Sequence, residues 1–192
     1  MELKNKSLVS CSDDNSIIFY NKGINSNYMQ DYRLNTKDYC CSIIETKDNE
    51  ICYSEASNKI YFYDLLQKKL KSQLNNININ NSTNEGFIMI NKELLLIPGI
   101  NKISIININE YKLIRIIDVP NSSNIVGNCM LNENMLITGD KNGIIRQWKI
   151  EENNLILISI KENAHNNTIW SLMNLGDGHI ASGSLDKSIK IW

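Results

Sequence analysis

Apolar residues along this chain come in short runs, and clusters of Asn, Asp, Gly and Ser separate them. Runs such as Leu94–Leu95–Leu96–Ile97 are four to eight residues long at most, rich in Ile, and bounded by turn formers. Helical periodicity is scarce. The pattern therefore predicts many short strands. Ile-rich stretches such as Lys102–Ser104–Ile105–Ile106 fit strands buried on both faces of a sheet.

Self-similarity sharpens this picture. Five segments align: LVSCSDDNSIIFYN, ICYSEASNKIYFYD, LLLIPGINKISIIN, LITGDKNGIIRQWK and IASGSLDKSIKIW. Each is a strand, a tight polar turn and a second strand that ends on an aromatic residue or Ile. The closing positions Tyr20, Tyr63, Ile106, Trp148 and Trp192 are spaced 43, 43, 42 and 44 residues apart. A period of about 40–45 residues is that of a four-stranded propeller blade, and such blades are stable only when stacked.

The strongest copy, ASGSLDKSIKIW, is preceded by His165 and the strand NTIWSLMNL, and it resembles the WD-repeat β-propeller family. The resemblance covers essentially the whole chain. It is specific in the first, fourth and fifth units and degenerate in the second and third. It implies an all-β chain, a WD-repeat β-propeller in an incomplete ring of about four and a half to five four-stranded antiparallel blades. Cut in the family's strand order d, a, b, c, residues 1–21 form a half blade holding strands b and c. Repeats then span 22–65, 66–108, 109–150 and 151–192, the last ending in strand c, for about 18 strands. Closed rings of this family most often have seven blades. The expectation is thus a fragment of a longer propeller, ahead of an arc completed by another polypeptide or a ring closed with five blades.

The resemblance also implies a structural hydrogen-bond network. In the family, a His, a strand-b Ser or Thr, a turn Asp and a strand-c Trp form one buried chain. The fifth unit matches with His165, Ser182, Asp186 and Trp192. The fourth keeps Thr138 and Trp148, with Asn142 in place of the Asp and no His; the first keeps Ser10 and Asp14, with Tyr20 at the Trp position. The second and third units keep none of the set, which concentrates the expected stiffening at the C-terminal end. The Trp Nε1–H needs an acceptor when buried, and the Ser hydroxyl supplies one. A catalytic-triad reading of Ser, His and Asp is disfavoured by the Trp partner and by the lack of a G-x-S-x-G elbow. Residues that face the loop rim in the family map here to Trp170, Leu185, Lys141, Arg146 and Cys41, the candidate partner-binding positions.

Composition narrows the function classes. Ile and Asn each supply about 30 residues while Arg is nearly absent, which reads as the coding bias of an AT-rich genome. The tract Asn75–Asn84 is low-complexity and predicts a loop insertion. With 20 basic against 21 acidic side chains, the net charge of −1 argues against direct nucleic-acid contact. No run approaches the ~20 apolar residues of a membrane helix, and no basic leader opens the chain, so no membrane partner is expected.

The five cysteines contain no CxxC pair and read as free buried thiols, with no metal site. Gly176–Asp177–Gly178 is a hairpin turn with no phosphate-cradle spacing, and His179 beside it is a solvated turn residue. The expectation is a non-catalytic, intracellular scaffold, cytoplasmic or nuclear, without cofactor or small-molecule substrate. It docks other proteins, among them one that could complete the propeller, and assembles a multiprotein complex. The rival reading is an adapter in a ribonucleoprotein, serving ribosome assembly or RNA processing. No unit ends in Trp-Asp-x-Arg, and no arginines are adjacent, so ubiquitin-ligase receptor and lipid-binding readings lack support.

Overall fold

The computed structural model describes residues 1–23, 27–77, 86–121 and 123–192. They form two compact units, Met1–Ile77 and a second that runs to Trp192. Among the described residues there are eighteen strands and no helix. From residue 78 to residue 84, the tract read as a loop insertion lies outside the described residues.

In the first unit, β1 (Leu8–Ser12), β2 (Ser16–Lys22) and β3 (Tyr28–Asn35) make one sheet. The second sheet holds β4 (Cys40–Lys47), β5 (Glu50–Glu55), β6 (Lys59–Asp64) and β7 (Lys69–Leu74). In the second unit, the third sheet holds β8 (Ile88–Met89), β9 (Leu94–Pro98), β10 (Lys102–Asn107) and β11 (Lys112–Asp118). The fourth follows with β12 (Ile125–Asn132), β13 (Met135–Asp140), β14 (Ile145–Glu151) and β15 (Asn154–Lys161). The fifth holds β16 (Ile169–Gly176), β17 (His179–Ser184) and β18 (Ile189–Ile191).

Every sheet is an antiparallel meander in which chain neighbours pair. The sheets are offset by one strand from the sequence repeats. The half blade expected over residues 1–21 is in fact part of a three-stranded sheet, because β3 pairs with β2 from Ser16↔Asn35 to Lys22↔Tyr28.

The inner strands explain the Ile-rich runs. Every residue of β5 and β9 is buried, and each lies mid-sheet between two hydrogen-bonded strands. Val9, Ile17, Phe19, Cys40, Ile51, Tyr53, Tyr61 and Tyr63 form the core between the first and second sheets. In the second unit, one apolar cluster joins the third sheet to the fourth through Leu96, Ile103, Leu136 and Trp148. Another joins the fourth to the fifth through Ile137, Ile145, Ile169 and Ile180.

The Asn bias has a structural use that its genomic reading missed. Among the described residues, seven of thirteen non-glycine positions with positive φ are Asn: 15, 49, 58, 76, 101, 121 and 163. Asn tolerates the left-handed conformation that tight turns need. Others cap turns with their side chains, as Asn91 accepts from the Leu94 N–H and Asn107 from the Glu110 N–H, at 2.8 and 3.0 Å. The Gly176–Asp177–Gly178 turn has positive φ at all three residues, and His179 beside it is exposed.

Gly143 lies where the β13–β14 turn meets the β15–β16 loop. Its φ is +75°, and a Cβ there would sit 2.1 Å from the His165 carbonyl oxygen. Gly143→Ala is expected to cost roughly 2–4 kcal/mol, the sum of left-handed strain and overpacking. Urea unfolding of the purified variant measures it; a midpoint equal to the wild type would show that the two loops do not meet as described.

Candidate functional site

His165, in the loop before β16, is the hub of the fifth sheet. Its Nδ1 lies 2.8 Å from Asp186 Oδ2, and its Nε2 lies 2.7 Å from Ser182 Oγ. Trp192 Nε1–H donates to the same Ser182 oxygen at 2.8 Å. With Asp186 accepting from Nδ1–H, the Ser182 hydroxyl donates to Nε2 while it accepts from Trp192. The four residues expected from the sequence are thus brought together.

Ser182 is fully buried and its oxygen is committed to Trp192, so it has no open face for a substrate. The chemistry of this cluster is cohesion. The Ser188 hydroxyl, and after it His165 and the backbone N–H groups of Asn166 and Ser188, hold the Asp186 carboxyl well below the usual carboxylate range.

The fourth sheet solves the same problem with different residues. Trp148 Nε1–H donates to Thr138 Oγ1 at 2.9 Å, as expected. The missing His–Asp link is replaced by Arg146 and Asp140, which meet at 2.6 Å with both side chains buried. Asp140 also accepts from the N–H groups of Asn142 and Ile144, and Arg146 Nη2 donates to the carbonyls of Pro120 and Asn121. The pair therefore fastens the β11–β12 loop to the β13–β14 turn, the task that His165 and Asp186 perform one sheet later.

In the second sheet, Tyr61 stacks on Tyr53 at 5.0 Å and donates to Glu55 at 2.9 Å. Glu55 in turn accepts from the Lys37 N–H of the β3–β4 loop at 3.2 Å. Glu55 and Asp140 occupy the same place, two residues past the position of Ser182 on the inner strand, and each pairs with a residue six further on. That spacing was visible in the sequence as Glu55/Tyr61 and Asp140/Arg146. The ties are therefore not confined to the C-terminal end. In the first sheet, by contrast, Ser10 is exposed and makes no bond to Tyr20 among the described residues. Asp14 there accepts from Ser16 Oγ at 2.6 Å and from Arg33 at 3.2 Å.

The rim residues divide sharply. Trp170 is 49% exposed and Leu185 55%, while Lys141 is half-buried. Arg146 and Cys41 are buried, which removes both from the candidate contact surface; Arg146 is taken up by Asp140. Trp170 is the extra residue of a β-bulge between Ile169 and Ser171, and Cys41 and Val126 occupy the matching bulges of the second and fourth sheets. A bulge re-aims its side chain. At this position Cys41 and Val126 point inward, and Trp170 stands out beside Leu185, whose N–H bonds Thr168. Among the described residues no group of three His, Cys, Asp or Glu side chains is placed to hold a metal ion.

Comparison with known proteins agrees with this geometry. Residues 158–192 match the family model for the WD40 repeat, described as WD domain, G-beta repeat. A chain of the mitotic checkpoint complex superposes with a TM-score of 0.81 at 15% identity, over 97% of this chain and 60% of that one. U3-55K superposes at 0.76 with 13% identity, over 97% of this chain and 59% of that one. The WD40 β-propeller domain of Doa1 superposes at 0.80 with 14% identity, over 98% of this chain and 61% of that one. The fold is therefore that of a β-propeller, laid out in five antiparallel sheets, and its last stretch, residues 158–192, matches the WD40 repeat model. The chain spans about three-fifths of the length of these structures. No curated protein sequence matches it.

Arg146→Met, which strands the Asp140 carboxylate, is expected to cost about 3–5 kcal/mol in chemical denaturation. Asp140→Asn combined with it should recover part of that loss; a double variant no better than the single one would deny the pairing. For Asp186, the depressed folded value means that its contribution is fully present above the ordinary value of 3.8 and is lost as the pH falls toward the folded one. Asp186→Asn should lower the melting temperature at neutral pH and flatten its decline in acid. Parallel acid slopes for the variant and the wild type would count against the network.

Proposed function

We propose that this protein is a non-catalytic scaffold that docks segments of partner proteins on the loop rim of its propeller and so assembles an intracellular complex. The observation that carries this reading is the Trp170–Leu185 pair. A large aromatic residue and a Leu stand half-exposed at one edge of the fifth sheet, next to a loop that His165, Asp186 and Ser182 hold rigid. Exposed Trp on a rigid support is the usual composition of a binding hot spot, because little side-chain entropy is lost on docking.

Two further observations support a role in assemblies. One similar structure is a chain of a checkpoint complex. The outer face of the fifth sheet is also apolar: Met173, Ile189 and Ile191 are each more than three-fifths exposed. A polypeptide that completes the propeller would cover such a face.

Trp170→Ala with Leu185→Ala should weaken a partner bound at the rim by at least 2 kcal/mol, roughly 30-fold, while leaving the melting temperature within a degree or two. Quantitative affinity purification of the variant and the wild type side by side makes the test. Equal recovery of every partner by both would remove the rim from the function.

A further inference from the structure

We propose that Cys11 and Cys40 form a peroxide-sensitive thiol pair, whose oxidation to a disulfide staples the first sheet to the second. The chain has five free cysteines, and these two are the pair that the fold joins. Cys11 lies on β1 opposite Ile17, and Cys40 opens β4 opposite Glu55. β1 packs against β4, and both side chains lie in the apolar cluster between the two sheets. There both thiols share one apolar cluster, and Cys40 Sγ reaches the Ser42 carbonyl at 3.8 Å.

The two sulfurs differ in a way that assigns their roles. Cys11 is half-buried, so a small oxidant can reach it, and Cys40 is buried behind it at 2% exposure. The neighbouring Cys40 thiol draws the Cys11 pKa down, while Cys11 and then burial push the Cys40 thiol up. Cys11 is therefore the nucleophile and Cys40 the resolving thiol.

With hydrogen peroxide as oxidant, the Cys11 thiolate attacks one peroxide oxygen. The O–O bond breaks, hydroxide leaves and takes up a proton, and Cys11 becomes a sulfenic acid. Cys40 then gives up its proton and attacks the Cys11 sulfur, the S–S bond forms, and the sulfenic oxygen leaves as water. Two thiols and one peroxide give one disulfide and two waters, with both electrons passing to the peroxide.

Cys52, Cys41 and Cys129 make useful internal standards. Cys52 is fully buried, and Cys52 and Cys129 are both held up in pKa by burial, Cys129 to about 11. Cys41 adjoins Cys40 in the chain, and its Sγ lies 3.9 Å from the Tyr39 carbonyl oxygen.

The test treats the purified full chain with a small excess of hydrogen peroxide, quenches with iodoacetamide and maps peptides without reduction. The expected product loses two hydrogens and carries a Cys11–Cys40 cross-link that dithiothreitol removes, with a melting temperature above that of the reduced protein. In Cys40→Ser, Cys11 should halt at the sulfenic acid and be labelled by dimedone. A Cys11–Cys41 link, a link between two chains, or peroxide leaving Cys11 alkylated by iodoacetamide would each overturn the proposal. The wild-type map decides the matter even if the Cys40 variant folds poorly.

Discussion

An antiparallel sheet whose inner strands are apolar on both faces cannot exist alone in water. β5 and β9 are buried at every position, so neither sheet is stable without another packed against it. This constraint governs the molecule. It explains why the cores lie between sheets, as the Val9–Tyr63, Leu96–Trp148 and Ile137–Ile180 clusters do. It also explains why the outermost strands β7, β11 and β15 are mostly exposed.

Apolar stacking alone does not fix the loops. Each sheet must also hold the loop that enters it against the turn between its two middle strands, and buried polar groups do this. The chain uses a Trp–Ser–His–Asp chain in the fifth sheet, an ion pair in the fourth and a tyrosine–carboxylate pair in the second. These differ in cost. The Arg146–Asp140 pair takes two charges out of water and leaves Arg146 Nε without a partner among the described residues. It is tolerable because the other guanidinium nitrogens reach Asp140 and two carbonyls. The fifth sheet shares its proton donors along a chain, which a low dielectric strengthens. The same scaffold thus accepts several polar solutions at one place.

Trp170 sits at a β-bulge beside a tied loop. Its bulge gives it a direction that a regular strand would deny, and the tied loop beside it keeps that direction constant. In the matching bulges Cys41 and Val126 spend the same backbone feature on packing. One backbone device buries its side chain in two sheets and exposes it in another.

The repeat of about forty-three residues, the strand count and the His165–Ser182–Asp186–Trp192 set were legible because each is written in local order: a strand, a turn, a strand, at a fixed period. Turn chemistry was legible too, although the abundance of Asn hid its use in left-handed positions. What the sequence alone could not decide is who faces whom across sheets. Arg146 reads as a solvated rim charge until the fold shows Asp140 and two carbonyls around it, and Glu55 has no evident partner until β6 brings Tyr61 alongside. Cys11 and Cys40 are likewise distant on the chain and become neighbours through the contact of β1 with β4. Period and turn are set by the backbone's own stereochemistry, which sequence carries directly. Burial and pairing depend on close packing between segments far apart in the chain, and that only the tertiary structure settles.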